Sequence, residues 1–524
     1  MRRLCFAVVL VLAVSSCTSG ADVAGTRLPA TVPQVVVDAY VEAFNAGDMS
    51  TLFSVFGDDV SYSLRPLTWS PAEGPTEAVA ATMQAIANGW VLEITDRVVG
   101  DGVLSGAFVL ETHGPTLTGT VEVRTDVGTI TAVTYDLDEQ SQVALDSPYL
   151  YLRTVQSFAP MDGARGFWGE LEGALYQIEV PDDWNGSLFI WGNGFKAYAL
   201  GLSVSPPPMS EYLIRNGYAW AATSFSTNGF DPMRFAEDAA NLHDFFIEEF
   251  GEPEFTYIAG SSMGGGVTLL SQQLFPARFD GALAVCSVVG QEDGDFFGHY
   301  LALAAYGAGV SQIEFDAAPS LEVLTRNRII PTLRMNPAAW WRFEELMTAI
   351  TGGPRPFRHE GFSEFFDSNF DAASWTVASG EFTNIGFSYP WVPALEMTAD
   401  ELNARVVRID REPRESDPSR LTGEVSVPLI MLHTTGDGLI PITAMQSFRR
   451  LAEAAGDGSH LVQRAIRAPG HCEVSPAEIE TAMADLTRWV EQGIEPEGEY
   501  LFGPLENVGL RFTNPRRDGD PGGL

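Results

Sequence analysis

The spacing of apolar residues changes along the chain and indicates two differently built regions. From Val37 onward apolar residues recur every three or four positions, which predicts two short helices around a turn at 45–48, the second ending near Phe56. A third helix is predicted over 76–87. The period then becomes two and predicts the strands 91–99, 103–112, 116–124 and 128–135. Helices followed by an antiparallel sheet predict an α+β domain over 31–139.

Beyond Phe167 strand-like runs alternate with helical stretches, which is typical of a parallel sheet with crossover helices. The predicted strands are 187–191, 218–224, 255–258, 281–289, 427–433 and 461–466, and the predicted helices are 210–215, 235–250, 444–455 and 477–490. Between about 290 and 425 aromatic-rich helical pieces replace this rhythm and predict an inserted cap. We therefore expect an α/β domain over 150–494 and a tail over 495–524 that is rich in Gly, Pro and charged residues.

The N-terminus has the form of an export signal. Two arginines precede an apolar run over 4–14 that is too short to span a bilayer. The run ends in Val14-Ser15-Ser16-Cys17, which resembles a bacterial lipobox and implies a signal peptide over 1–16, lipidation of Cys17 and a tether over 17–30. The alternative is a plain signal peptide cleaved near Ala21. Either way we expect export, and with the lipid an anchor on the outer face of a bacterial membrane, in the periplasm or at the cell surface.

Charge and composition exclude several function classes. The chain has 31 basic and 69 acidic residues, a formal net charge of −38, and such a surface repels nucleic acid and anionic lipid. We therefore expect no nucleic-acid partner and no membrane contact beyond the lipid anchor. No Cys/His cluster has the spacing of a zinc site, and nothing in the sequence calls for a metal or another cofactor. The sequence does not indicate an oligomeric state.

The motif that organises the second domain is Gly260-Ser261-Ser262-Met263-Gly264. It follows the strand predicted at 255–258 and precedes a helix, the context in which G-x-S-x-G forms a sharp turn that exposes the serine. The turn requires residues with almost no side chain two positions before and after the serine. Ser262 is therefore the candidate nucleophile.

A serine hydroxyl needs a base, and the base needs an orienting carboxylate. Two later loops, each directly after a predicted strand, supply these groups. Asp437 lies in Gly436-Asp437-Gly438-Leu439-Ile440-Pro441, and His471 lies in Pro469-Gly470-His471-Cys472. Asp293 and Asp295, after the strand predicted next to the serine strand, are the rival acids.

From Phe167 to about Val490 the chain resembles the α/β-hydrolases, nearest to secreted esterases. The shared motifs are P-D-D-W-N-G, G-S-S-M-G-G, the D-x-x-apolar-P acid loop and the G-H-C loop, and the order Ser, acid, His is also the family's. The resemblance implies hydrolysis of a carboxylic ester through an acyl-enzyme on Ser262. It also implies an oxyanion hole built from the N–H groups of Met263 and Phe195, with Asn193 where the family often has histidine.

The stretch Val37 to Leu137 resembles the cone fold of the nuclear transport factor and polyketide cyclase-like families. Those families include isomerases and plain binding modules, and the polar residues available here are Asp58, Asp59 and His113. We interpret the two aspartates as a helix end and the histidine as a turn residue. We therefore expect this domain to be non-catalytic.

Cys286 and Cys472 both fall at the predicted catalytic edge of the sheet, and an exported protein meets oxidising conditions. We predict a Cys286–Cys472 disulfide, with two buried free thiols as the alternative.

The aromatic content of the cap suggests a small ester substrate with an apolar or aromatic group, although the same rings could form the cap's core. Two other functions are compatible with the sequence. They are a serine peptidase of the prolyl-peptidase kind and a non-catalytic surface protein that binds a ligand.

Overall fold

The computed structural model describes residues 33–65, 72–90 with gaps, 90–112, 116–144, 155, 157–196, 201–289, 291–318, 321–368, 383–409 and 420–520. The chain divides into two compact units, Met1–Leu150 and Tyr151–Leu524. The signal peptide, the tether and the lipidation site at Cys17 lie outside the described residues. No helix in the described part of the chain is long and apolar enough to cross a membrane.

The N-terminal unit is a curled six-stranded sheet with helices packed on it. Its strand order is β2-β1-β6-β5-β4-β3, and every neighbouring pair is antiparallel except β1 with β6. The elements are α1 (Pro33–Ala46), α2 (Met49–Val55), β1 (Phe56–Arg65), β2 (Ala72–Glu73), β3 (Val91–Gly100), β4 (Val103–Glu111), β5 (Thr116–Asp126), β6 (Thr129–Leu137) and α3 (Glu139–Ala144). This is the predicted α+β cone fold.

The interior of the cone is filled by aromatic side chains. The hydroxyl of Tyr135 donates to that of Tyr40 at 3.1 Å, and Tyr62 lies edge-on to the Tyr135 ring. All three are buried, and burial raises the pKa of each phenol. These rings form a core in which the hydroxyls satisfy one another.

The C-terminal unit is built on an eight-stranded sheet of order β14-β13-β12-β11-β9-β10-β8-β7. β9 to β14 are parallel, and β7 and β8 form an antiparallel edge. The strands are β7 (Ala164–Leu171), β8 (Ala174–Pro181), β9 (Ser187–Gly192), β10 (Ala219–Thr223), β11 (Phe255–Ser261), β12 (Gly281–Val285), β13 (Leu429–Thr434) and β14 (Leu461–Ile466). The arrangement is the α/β-hydrolase fold, as predicted.

Helices cover both faces of this sheet, which is why its parallel strands read as continuous apolar runs. The core helices are α4 (Ser210–Arg215), α5 (Pro232–Phe250), α6 (Met263–Leu274), α14 (Thr443–Ala455) and α15 (Pro476–Gln492). One core contains Ile190 with residues of α5, α6 and α14, while the other contains Phe189 with residues of α4 and α15. Each fully buried aliphatic side chain contributes roughly 1.5–3 kcal/mol.

The described part of the cap between β12 and β13 consists mainly of helices joined by turns and loops. Its helices are α7 (Gln291–Gly307), α8 (Gln312–Asp316), α9 (Leu321–Leu324), a π-helical turn (Thr325–Ile329), α10 (Ile330–Met335), α11 (Pro337–Ile350), α12 (Arg358–Ser368) and α13 (Ala399–Asn403). The large aromatic side chains Tyr300, Phe343, Phe362 and Tyr389 are fully buried within the cap. These rings are therefore explained by the cap's own core and carry no information about the substrate.

Candidate active site

The turn around Ser262 is a nucleophile elbow. Ser262 lies between β11 and α6 with φ 57° and ψ −121°, a backbone conformation that side-chain-bearing residues rarely adopt. A Cβ on Gly264 would lie 2.1 Å from the carbonyl oxygen of Gly192, and a Cβ on Gly260 would lie 2.3 Å from that of Gly264. The Ser262 hydroxyl does not cap the helix. It is therefore available to a base.

The base is His471, and Asp437 lies behind it. Nε2 of His471 is 2.8 Å from Oγ of Ser262, and Nδ1 is 2.6 Å from Oδ2 of Asp437. The other Asp437 oxygen accepts hydrogen bonds from the backbone N–H groups of Leu439 and Ile440 at 2.9 and 2.8 Å. The structure thus brings together the three residues that the sequence assigned to the triad.

Burial and charge oppose each other in the pKa values of this pair. Burial disfavours the charged form of each group, but the Asp437 charge and its hydrogen bond raise the pKa of His471 to about 9. Burial likewise works to raise the pKa of Asp437, and the neighbouring His471 outweighs it, so that this pKa lies below its usual value. The arrangement favours an imidazolium next to a carboxylate, the state that a histidine reaches when it takes a proton from serine.

A second histidine, His433, lies next to the Asp437 carboxylate. His433 in β13 is fully buried, and its Nε2 donates to the Ile440 carbonyl at 2.9 Å and lies 3.8 Å from Asp437. Burial lowers the pKa of His433 despite that carboxylate. His433 therefore stays neutral and supports the loop that holds Asp437.

The loop after β9 lies against the nucleophile. A Cβ built on Gly194 would be 3.7 Å from the Cβ of Ser262. The buried Asn193 donates from Nδ2 to the Thr223 carbonyl at 2.5 Å, which fixes this loop to the end of β10. Phe195 follows in the same loop and Met263 begins α6. Their role as an oxyanion hole stays a prediction.

The cap contacts the acid loop, a relation that the sequence did not reveal. A Cβ on Gly361, in the first turn of α12, would lie 1.4 Å from the carbonyl oxygen of Gly436. The Tyr300 hydroxyl of α7 donates to the Gly438 carbonyl at 2.6 Å. Cap helices thus hold both residues that flank Asp437.

Two charged cap residues also face the site. Arg355 is buried and donates from Nε to the Thr435 carbonyl at 2.7 Å. A carboxylate oxygen of Glu364 lies 3.2 Å from where a Cβ on Gly470 would be, and a Glu473 oxygen lies 3.1 Å from the same point. Burial, then the charges of Glu473 and Asp437, raise the pKa of Glu364.

The predicted Cys286–Cys472 disulfide is not formed, because both cysteines are free thiols. They are hydrogen-bonded neighbours, and Sγ of Cys472 lies 3.6 Å from Nε2 of His471. Disulfide formation needs a thiolate, and burial, followed by the neighbouring Cys286, raises the pKa of Cys472. Cys286 packs in the apolar core beneath the sheet, which corresponds to the alternative of buried free thiols.

The remaining polar candidates lie in the N-terminal unit or outside the described residues. Asp58 and Asp59 are exposed in β1, so the interpretation of this pair as a helix end is wrong. His113 lies outside the described residues, as do the side chains of Asp293 and Asp295. No group of three or more His, Cys, Asp or Glu side chains in the described part of the chain is arranged to hold a metal ion.

Comparison with known proteins gives matches to both units. Residues 172–295 match a tannase-like family of unknown function (DUF6351), a segment that includes Ser262 but neither Asp437 nor His471. An o-phthalyl amidase of Xanthobacter agilis is 22% identical over 427 residues, which cover 66% of this chain and 93% of the amidase. These matches support an ester or amide hydrolase.

Among solved structures, an esterase of Pyrococcus furiosus is 12% identical, with a TM-score of 0.35 over 65% of this chain and 97% of the esterase. A putative ketosteroid isomerase of Kribbella flavida is 19% identical, with a TM-score of 0.19 over 20% of this chain and 76% of the isomerase. At these values the two structures add no argument about function.

Proposed function

We propose that the protein is a serine hydrolase that cleaves carboxylic esters through an acyl-enzyme on Ser262. The observation that carries the proposal is the hydrogen-bonded series from Ser262 Oγ through His471 to a fully buried Asp437. A buried carboxylate is costly unless it is paired, so its position directly behind the imidazole calls for an explanation. Orientation of a general base provides that explanation.

The reaction proceeds in two halves. His471 Nε2 takes the Ser262 proton as Oγ attacks the ester carbonyl, and the same nitrogen then gives that proton to the departing alcohol. Water attacks the acyl-enzyme with His471 again acting as base, and the acid is released. Asp437 keeps Nδ1 protonated and stabilises the imidazolium. Its second oxygen accepts hydrogen bonds from two backbone N–H groups, which hold the carboxylate in that position.

The negative charge that develops on the carbonyl oxygen needs donors that are in place beforehand. The N–H of Met263 lies at the start of α6, where the helix dipole also favours negative charge. The N–H of Phe195 is the proposed second donor, in the loop that Asn193 fixes to β10. Removing one such donor from a related site raises the activation barrier by about 3–4 kcal/mol.

Amide hydrolysis is the second candidate, and the observation that favours it is the match with an o-phthalyl amidase over most of both chains. An amine is a poorer leaving group than an alcohol, so protonation by His471 limits amide cleavage more strongly. The proton that His471 gives to the amine is the one it takes from Ser262, and the Asp437 charge stabilises the imidazolium that carries it.

The test is a panel of matched chromogenic substrates with a Ser262→Ala control. It compares p-nitrophenyl esters, p-nitroanilides of the same acids and aminoacyl p-nitroanilides. We expect turnover of the esters that disappears in the variant. Cleavage of anilides at comparable kcat/KM would favour the amidase, and a requirement for a free amino terminus would favour a peptidase. Absence of turnover and of fluorophosphonate labelling would favour a ligand-binding protein.

A further inference from the structure

We propose that the C-terminal segment, residues 493–520, positions His471 by holding both ends of the histidine loop, residues 468–475. This inference rests on the proposed function for its catalytic consequence, but the contacts stand independently of it. The sequence shows no periodicity in this segment. In the structure it lies along β14 and returns to the start of α15.

The first end of the loop is held at Arg467, directly after β14. Its guanidinium is 1% exposed and forms an ion pair with Asp520 at 2.6 Å. Nη1 donates to the carbonyl oxygens of Glu506 and Val508, both at 3.1 Å. The backbone N–H of Arg467 donates to Oγ1 of Thr513 at 2.8 Å. All of these partners belong to the C-terminal segment.

The second end of the loop is held at Glu478, in the first turn of α15. Its fully buried carboxylate accepts two hydrogen bonds from Arg517, at 3.0 and 2.7 Å. The same guanidinium donates to the Glu473 carbonyl at 2.9 Å. The hydroxyl of Ser475 donates to the Asn514 carbonyl at 2.6 Å, and the Asn514 N–H donates to Glu478 at 2.6 Å.

His471 lies between these two sets of contacts, four residues after Arg467 and two before Glu473. The loop has its own short-range bond from the Gly470 N–H to the Glu473 carboxylate at 3.0 Å. That bond fixes the tip relative to the loop. The hydroxyl of Thr434, the last residue of β13, also donates to the Gly470 carbonyl at 2.8 Å and ties the tip to the sheet. Since Ser262 is fixed to the sheet, the distance from Nε2 to Oγ depends on the Thr434–Gly470 bond together with where the two ends are held. A shift of about 1 Å in a reacting group costs up to about 100-fold in rate.

The segment is itself fixed to the sheet edge. The Glu499 N–H donates to the Gln463 carbonyl at 2.8 Å, and a Glu499 carboxylate oxygen accepts from the Ala465 N–H at 3.1 Å. The segment therefore covers the open edge of β14. Its contacts with the histidine loop hold that loop in a fixed position relative to this strand.

The test uses Asp520→Asn, with Asp485→Asn as the matched control. Asp485 pairs with Arg464, which is 2% exposed on the same strand, at 2.6 Å. This pair joins β14 to α15 without touching the histidine loop. Asp485 also pairs with the half-exposed Arg488, and Arg464 has a separate hydrogen bond to the Glu497 carbonyl of the C-terminal segment, which the substitution leaves in place. Both variants leave one buried arginine without its counter-charge, so we expect similar falls in Tm.

Two measurements separate positioning from general destabilisation. Below both Tm values, hydrogen–deuterium exchange of peptides covering 468–475 should quicken in Asp520→Asn and stay unchanged in the control. On a p-nitrophenyl ester, kcat should fall about 10- to 100-fold in Asp520→Asn, with KM within twofold, and stay within twofold in the control.

The outcomes distinguish this inference from the proposed function. An active wild-type protein whose Asp520→Asn variant keeps its kcat, or whose loop exchange is unchanged, overturns the inference alone. Equal losses of kcat in both variants also overturn it, because they trace to lost stability. A wild-type protein that is inactive and does not label at Ser262 overturns the proposed function, while exchange still reports whether the segment holds the loop.

Discussion

On the serine side of the site backbone packing fixes the catalytic group, whereas on the histidine side charged side chains do so. Gly264 contacts the Gly192 carbonyl so closely that no Cβ fits between them. The histidine loop is tied to β13 by the Thr434 hydroxyl and depends in addition on ion pairs of Arg467 and Glu478 with the distant C-terminal segment. The serine side therefore tolerates almost no substitution at its glycines, while the histidine side depends on buried charges that must stay paired.

The largest effects should come from removing the catalytic group on either side. Ser262→Ala and His471→Ala should each reduce kcat by about six orders of magnitude, and the double variant should lose little more, because the triad acts as a unit. Steady-state kinetics on an activated ester measures this. Near-normal activity of either single variant would be incompatible with the assignment.

Asp437→Asn should reduce kcat by about 10⁴-fold, because the amide favours the wrong imidazole tautomer. The base is active only when it is neutral, so a raised His471 pKa means that kcat/KM increases with pH above neutrality in the wild type. Loss of the Asp437 charge lowers that pKa, so the variant's acidic limb should move to lower pH. A limb at the same pH in both proteins would show that another group titrates.

Gly264→Ala tests the serine side alone. The added methyl group meets two backbone carbonyls, those of Gly192 and Asn193, at 2.1 and 2.6 Å, and neither can rotate away. We expect a loss of at least about 1–3 kcal/mol of stability and about 100-fold in kcat. Gly503→Ala is the control, since its Cβ would meet nothing within 4 Å. Equal behaviour of the two variants would contradict the role of close packing.

The smallest effect concerns the thiols beside His471. Alkylation of the denatured, unreduced protein followed by peptide mapping should find Cys286 and Cys472 each singly modified. Cys286→Ala should leave kcat within a few fold, because this thiol serves as a small apolar residue in the core. Recovery of a peptide cross-linked between the two cysteines would contradict this expectation.

Features with a local signal were predicted well. β14 (Leu461–Ile466) and α4 (Ser210–Arg215) match their predicted ranges, since period and turn residues are read over a few positions. β1 (Phe56–Arg65) was missed because Phe56 continues the helical spacing of α2 and an acidic pair follows it. The parallel partner of β1 is β6, far along the chain, so no neighbouring residue indicates the strand.

In the candidate site, too, residues with a local sequence signal were predicted and contacts between distant residues were not. Ser262, Asp437 and His471 follow strands in motifs of a few residues, and the sequence indicates each. The contact of Gly361 with Gly436 and the pair of Arg467 with Asp520 join residues separated by 75 and 53 positions. Single glycines and single charges have no periodicity, so only the folded chain identifies their partners.

The most direct test is to trap the acyl-enzyme. The protein is mixed with a p-nitrophenyl ester, quenched in acid within the first turnover and digested. The masses of the peptides are then measured by mass spectrometry, with His471→Ala treated in parallel. We predict the acyl mass on Ser262 in the wild type and its absence at the same reaction time in His471→Ala. An acyl group on another residue, or equal acylation of Ser262 in both proteins, would contradict a serine activated by His471.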